Sequence, residues 1–271
     1  MAVSSEVKED YFLSTIGAVF ENENENSESD INDDLSTVET VFEIQDCVEF
    51  PKKKIVLKHT LSSSVDMVGL QVWRGAFLLA DFILHHQHIF KDKLVVELAG
   101  GTGFTAIVAG LVAKQVISTD VDRGNILSLL SSNLEKNLPG GNVECRELDF
   151  FWDAFPDSIS SELRDSDVIL AADVVYDKNI TRHFFKTVQN ILNFGGKTIF
   201  IAIERRLWTD NHGNLVAPNF DIFKEHLEEL SNLQINESEL LVEELKTDFP
   251  KYFEYNRVPE LTLWKIVLAK L

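Results

Sequence analysis

A carboxylate, Glu97, stands in the short apolar run LVVEL (94–98), and Gly100, Gly101 and Gly103 follow it within six residues. A second carboxylate, Asp120, ends the next apolar run, VISTD. Glycines at such a turn let the backbone approach a ligand closely and take positive φ, which a Cβ opposes. The pattern departs from the dinucleotide fingerprint GxGxxG, because Gly101 and Gly103 are followed by Phe104, Thr105 and Ala106 with no third glycine. An acid just ahead of the turn repels a pyrophosphate and suits a cation, and an acid closing the second strand suits ribose hydroxyls. A nucleoside-like ligand with positive charge and no phosphate satisfies both, and S-adenosylmethionine is such a ligand. An NAD-dependent dehydrogenase fits less well. A strand-to-helix turn also uses glycine for packing alone, and that reading stays open at this point.

The elements around these residues must bring them to one crevice. Leu70, Trp73, Phe77, Ala80 and Leu84 recur at three- and four-residue spacing, which predicts a helix through QVWRGAFLLADFIL with one buried face. LVVEL predicts a strand, residues 102–114 a helix and VISTD the next strand, together a β-α-β unit. A helix over 122–138 stops at Pro139, Gly140 and Gly141, and NVECREL follows as a strand. DVILAA and KTIFIAIE are further strands with a helix over 180–192 between them, and a helix over 220–230 leads to two late strands, near 240–245 and at LTLWKIVLA. This alternation predicts a mostly parallel sheet with helices on both faces and an antiparallel pair at one edge. Residues 94–113 are about as long and apolar as a membrane span, but Glu97 and the glycines favour a buried strand-turn-helix.

The net charge of -19 is uneven, since residues 1–50 carry 14 acidic side chains against Lys8 alone. Within them ENENENSESDINDD (21–34) lacks the apolar surface needed to offset the entropy of ordering, which predicts disorder. The expected organisation is therefore a largely disordered acidic segment, 1–50, and one domain, 51–271. The acidic arm favours solubility over a contact with a basic partner. Lys52, Lys53 and Lys54 are too few for a nucleic-acid patch and suit part of a nuclear import signal. MAVSSEVKED lacks the basic start and apolar run of a secretory signal, so an intracellular protein is expected. Cys47 and Cys145 have no metal-ligand spacing and are read as reduced thiols, with no metal expected.

Taken in order, VWRGAFLLADFI, VVELAGGTG, STD, RELDF and LAADVVYD resemble the seven-stranded family 16 protein-lysine methyltransferases over roughly residues 56–270. The resemblance implies a class I methyltransferase Rossmann-like fold with strand order 3-2-1-4-5-7-6 and the last strand antiparallel. It places Trp73 at the cofactor pocket and Glu97, Gly101, Thr102 and Gly103 around the methionine end of S-adenosylmethionine. Asp120 falls at the ribose, Asp149 and Phe150 at the adenine, and Ala172 on the pocket floor. Asp173 and Tyr176, in DVVY, match the DxxY signature facing the target lysine and are the expected catalytic pair. Glu204 and Arg206 are placed at the substrate mouth, with a solvated strand end as the alternative. Two departures are Ala99, where the family has the first glycine of the turn, and Phe150, where it has tryptophan. Alanine is tolerable there unless the position needs positive φ.

The resemblance further implies a nuclear location and a basic, nucleic-acid-associated protein substrate. One member of the family acts on a lysine of the nuclear DNA/RNA-binding protein Kin, and chaperones are among the family's partners. No direct nucleic-acid binding and no membrane association are expected. A small-molecule methyltransferase and a non-catalytic binding scaffold are the alternatives. The scaffold reading calls for the loss of Glu97, Asp120 or Asp173, and all three are present.

Overall fold

The computed structural model describes residues 37–45, 54–61, 65–235 and 238–268. The acidic run at 21–34, Cys47, Lys52 and Lys53 lie outside the described residues. The described chain opens with an antiparallel hairpin of β1 (Thr37–Glu43) and β2 (Lys54–Thr60). The boundary expected at residue 50 therefore falls inside a hairpin. Phe42, Ile55 and Leu57 put its apolar face into the core, which the acidity of the surrounding residues masked.

A 3-10 segment, Val65–Leu70, leads to α1 (Arg74–His85) and the short α2 (Gln87–Phe90). The expected single buried face of α1 is corrected: Phe77 through Leu84 are all buried. One side meets the sheet, and another meets the segment carrying Phe249, Phe253 and Tyr255, whose Arg257 pairs with the buried Asp81 at 2.5 Å.

Next come β3 (Leu94–Leu98), α3 (Phe104–Gly110), β4 (Gln115–Asp120), α4 (Ile126–Asn137) and β5 (Val143–Glu147). After α5 (Asp157–Asp165), which the apolar pattern did not predict, follow β6 (Val168–Ala172), α6 (Lys178–Leu192) and β7 (Thr198–Glu204). A small hairpin, β8 (Trp208–Thr209) with β9 (Leu215–Val216), precedes α7 (Pro218–Ser231), β10 (Gln234–Ile235), β11 (Ser238–Leu245) and β12 (Leu261–Leu268). The membrane-length run at 94–113 is thus divided between β3, a turn and α3, and no helix among the described residues is long and apolar enough to cross a membrane.

The main sheet runs β10-β11-β12-β7-β6-β3-β4-β5, with β3 to β7 parallel and β12 antiparallel to β7. This is the expected seven-strand order with the two-residue β10 added at the edge. Successive side chains of a strand point to opposite faces, and the core divides accordingly. Val95, Val168, Leu170, Phe200 and Ala202 join α1, α3, α4 and the hairpin on one face, whereas Val96, Ile169, Ala171, Ile199 and Ile201 join α5, α6 and α7 on the other. From β3 the chain moves outward through β4 and β5, then returns to place β6 and β7 on the opposite side. Ligands of open α/β sheets bind at such a reversal, outside the carboxyl ends of the strands.

Candidate active site

A cleft lined by the ends of these strands opens at that reversal. The ends of four parallel strands line it: the turn Ala99–Thr102 after β3, Asp120 after β4, Asp149 and Phe150 after β5, and Ala172, Asp173 and Tyr176 after β6. Trp73 completes the wall from the start of α1. Ten of the expected cofactor and catalytic residues thus share one cavity with Glu97; Gly103 stands behind it.

The turn is built as tightly as its glycines suggested. A Cβ on Gly101 (φ +54) would lie 2.7 Å from the Gly69 carbonyl oxygen, and one on Gly103 (φ +83) would lie 2.7 Å from Leu130. Gly100 is closest of all, because a Cβ there would meet Ser118 Oγ at 2.2 Å and Glu97 Oε2 at 2.7 Å. Ala99 adopts φ +52, so the position where the resemblance expects a glycine does need the left-handed region.

Glu97 is almost fully buried and accepts a hydrogen bond from Ser118 Oγ at 2.6 Å. Burial pushes its carboxyl up to about 7 against the opposing pull of the Ser118 and Thr105 hydroxyls, the charge of Asp120 pushes the same way, and the Ala106 amide pulls it down. The Thr105 and Ala106 contacts put this carboxylate at the N-terminus of α3, the place where dinucleotide folds receive a pyrophosphate. Asp120 accepts from the Gly101 amide at 2.8 Å and from the Val121 amide at 2.7 Å, and so holds the glycine turn from behind. Burial pushes it up to about 6 despite both amides. Two desolvated acids facing one cleft favour a cationic ligand, which lets both ionise.

After β5 Asp149 accepts from the Phe151 amide at 2.9 Å, while the Phe150 ring packs edge-on against Phe184. Trp73 is half-buried and donates its indole N–H to the Val68 carbonyl at 2.9 Å. It is a cleft wall more than a core aromatic.

Asp173 is more constrained than a group that only faces substrate. Its backbone is left-handed (φ +51), and its carboxylate accepts from the Gly75 amide at 2.6 Å and the Glu204 amide at 2.9 Å. Tyr176 lines the cleft, and its carbonyl accepts from Asn219 Nδ2 at 2.9 Å. Asp177 then caps α6 through the amides of Asn179 and Ile180.

The substrate-mouth expectation is corrected for Glu204. Its side chain is buried in an ion pair with Arg74 at 2.6 Å and does not line the cleft. A carboxylate this deep needs a charged partner, and the start of α1 supplies one. Arg206 stacks its guanidinium 4.4 Å from the centre of the Trp73 ring, outside the cleft wall.

Sequence reasoning missed Val68, Gly69, Val72 and Phe151, all of which line the cleft. Gly69 interrupts the helical pattern, which was the available signal for a close backbone approach. Phe151 is 45% exposed and stacks on His183 at 4.1 Å; the run FFW after β5 was its only trace. Among the described residues no group of histidine, cysteine, aspartate and glutamate is arranged to hold a metal. Cys145 is a half-buried free thiol that burial pushes up to about 11.

Residues 50–214 match a family described as lysine methyltransferase. The chain is 35% identical over 236 residues to methyltransferase-like protein 22 of Homo sapiens, covering 80% of this chain and 58% of that protein. It is 34% identical over 237 residues to the Mus musculus protein of that name, covering 80% and 60%. Over 181 residues it is 30% identical to protein-lysine methyltransferase METTL21E of Mus musculus, covering 64% and 69%. The chain therefore spans about three fifths of the length of the two methyltransferase-like 22 relatives.

Proposed function

The chain belongs to the lysine methyltransferase family, and from that premise we propose that it is an S-adenosylmethionine-dependent protein-lysine N-methyltransferase acting on a basic, nucleic-acid-associated nuclear protein of the Kin type. The observation that carries the cofactor half is the pairing of two buried carboxylates, Glu97 and Asp120, that line one cleft at the turn after β3. The fit is chemical, since a carboxylate occupies the helix N-terminus where a phosphate would otherwise be received.

When bound, S-adenosylmethionine supplies an electrophilic methyl on a positively charged sulfur. Glu97 and the turn would hold its methionine end, Asp120 the ribose, and Asp149 with Phe150 the adenine. The remaining task of the protein is alignment and exclusion of water, because in-line displacement needs the amine held on axis. Asp173 takes part by attracting the incoming ammonium while its two backbone contacts keep the carboxylate fixed. Tyr176 borders the channel beside it. The ammonium must shed a proton to attack; Asp173 opposes that loss, and burial among apolar walls favours it.

The rim of the cleft supports a macromolecular acceptor over a small molecule. Arg206 touches the cleft residue Trp73 and Asn219 touches the cleft residue Tyr176, so the β8–β9 hairpin is anchored at both ends to residues of the cleft wall. It carries Leu207, Trp208 and Leu215 exposed to solvent, with Trp208 at 54% and Leu215 at 68%. Asp210 stiffens its tip by accepting from the His212 and Asn214 amides. Large apolar side chains held this open on an element anchored to the cleft wall suit a protein surface. Chaperones are a second candidate class of partner, and the nucleus is the proposed location.

The test is calorimetric titration with S-adenosylmethionine and, separately, NAD, followed by mass spectrometry of a Kin-type protein incubated with enzyme and cofactor. Binding of S-adenosylmethionine alone and methyl groups on lysine are expected. Methylation of small amines with none on protein would favour the small-molecule reading, and cofactor binding without any transfer would favour the scaffold.

A further inference from the structure

Asn133 and Asn137 stand one turn apart on α4, and both are buried. Each treats one residue of β2 as a neighbouring strand would. Asn137 Oδ1 accepts the Val56 amide at 3.0 Å, and its Nδ2 donates to the Val56 carbonyl at 2.7 Å. Asn133 makes the same pair of bonds with Lys58, both at 2.9 Å. The spacing allows it, since residues two apart on a strand repeat at about 6.6 Å and residues four apart on a helix rise by about 6 Å.

Each amide has a second Nδ2 hydrogen, and there the two differ. That of Asn137 goes to the Asn133 carbonyl within the same helix, at 2.9 Å. That of Asn133 goes to the Thr102 carbonyl at 2.9 Å, in the middle of the glycine turn. The hairpin also reaches the far side of this turn: Phe42 of β1 packs edge-on against Phe104, the residue after Gly103, with centroids 5.2 Å apart. One side chain therefore touches both β2 and the cofactor turn.

We infer that Asn133 is a positioning residue that couples the β1–β2 hairpin to cofactor binding. By fixing the Thr102 carbonyl it orients the peptide units of the turn, and by gripping Lys58 it makes that orientation depend on a docked hairpin. The inference rests on the S-adenosylmethionine reading given above. Such coupling is reciprocal, so cofactor binding must in turn tighten the hairpin.

Asn137 supplies the control, because it makes the same pair of β2 bonds without touching the turn. S-adenosylmethionine affinity is measured calorimetrically for the wild type, Asn133→Ala, the milder Asn133→Ser and Asn137→Ala, with a thermal melt of each. Melting temperature falls in both alanine variants. Affinity weakens by about fivefold, the scale of one lost hydrogen bond, in the Asn133 variants, and by clearly less in Asn137→Ala, which reaches the turn only through the hairpin. Equal affinity across the variants, or an equal loss in Asn137→Ala, overturns the inference. A second measurement needs no variant: hydrogen exchange of residues 54–60 slows when S-adenosylmethionine is added to the wild type. Slowing confined to residues 99–105 overturns the coupling while leaving the cofactor reading intact. A wild type that binds no S-adenosylmethionine overturns the cofactor reading itself.

Discussion

The carboxylate of Asp173 lies 2.6 Å from the amide nitrogen of Gly75, at the N-terminal end of α1. The first amides of a helix have no partner within it, and α1 has no side-chain cap of its own. Asp173 serves as that cap from a distant strand end. Its other oxygen accepts from the Glu204 amide, so one carboxylate joins the ends of β6 and β7 to the helix that Trp73 precedes.

Asp173→Ala is consequently a compound lesion. It leaves two buried N–H groups without acceptors, each costing about 1–3 kcal/mol. Turnover, melting temperature and S-adenosylmethionine affinity should fall together, with Asp173→Asn intermediate in melting temperature. Lost turnover with unchanged stability and affinity would restrict Asp173 to the substrate side.

Gly75→Ala should reverse an ordinary sign. Within a helix this change typically stabilises by about 1 kcal/mol. Here the new Cβ meets Asp173 Oδ2 at 2.7 Å and the Ala202 carbonyl at 3.0 Å. A lowered melting temperature, read by calorimetry, is the expected outcome.

Ala99 holds φ +52, which costs a residue with a Cβ about 1–2 kcal/mol. Glycine's greater freedom in the unfolded chain offsets part of this. Ala99→Gly is expected to raise the melting temperature by about 2 °C, without loss of cofactor affinity.

The acids at the turn predict a pH dependence. Burial raises Glu97 from 4.5 to about 7 and Asp120 from 3.8 to about 6. Their protonated forms belong to the ligand-free fold, so their contribution to stability is complete below about 4 and is lost as pH rises through 6 to 7. A cationic ligand favours the ionised forms. Its affinity should increase from pH 6 to 8, with protons released on binding, as calorimetry in buffers of different ionisation enthalpy will measure. Glu97→Gln should flatten the profile and weaken binding; an unchanged profile would remove Glu97 from it.

Trp208→Ala, in the exposed β8–β9 hairpin, should raise KM for a protein acceptor by about tenfold, the scale of an interface anchor. S-adenosylmethionine affinity and kcat should stay as they are. Equal KM values would place acceptor docking elsewhere.

Much of this was legible in the linear order of residues. LVVEL, VISTD and KTIFIAIE are apolar runs too short for helices, and a strand buried on both faces needs nothing more to be recognised. Glu97 and Asp120 beside the turn pointed to a cationic ligand, because local charge is a property of neighbouring residues. Other features were set by contacts between residues far apart in the chain. Glu204 is drawn from the expected mouth into the interior by Arg74, 130 residues earlier, and Asp173 is held by amides 98 and 31 residues away. The reach of Asn133 from Lys58 to Thr102 has no local signature either. The sequence by itself determined the sheet, the turn and the class of ligand, since these follow from periodicity and nearby chemistry. Only the tertiary structure decided which polar groups face the cleft and which hold it together, because a hydrogen-bond partner is chosen by position in space.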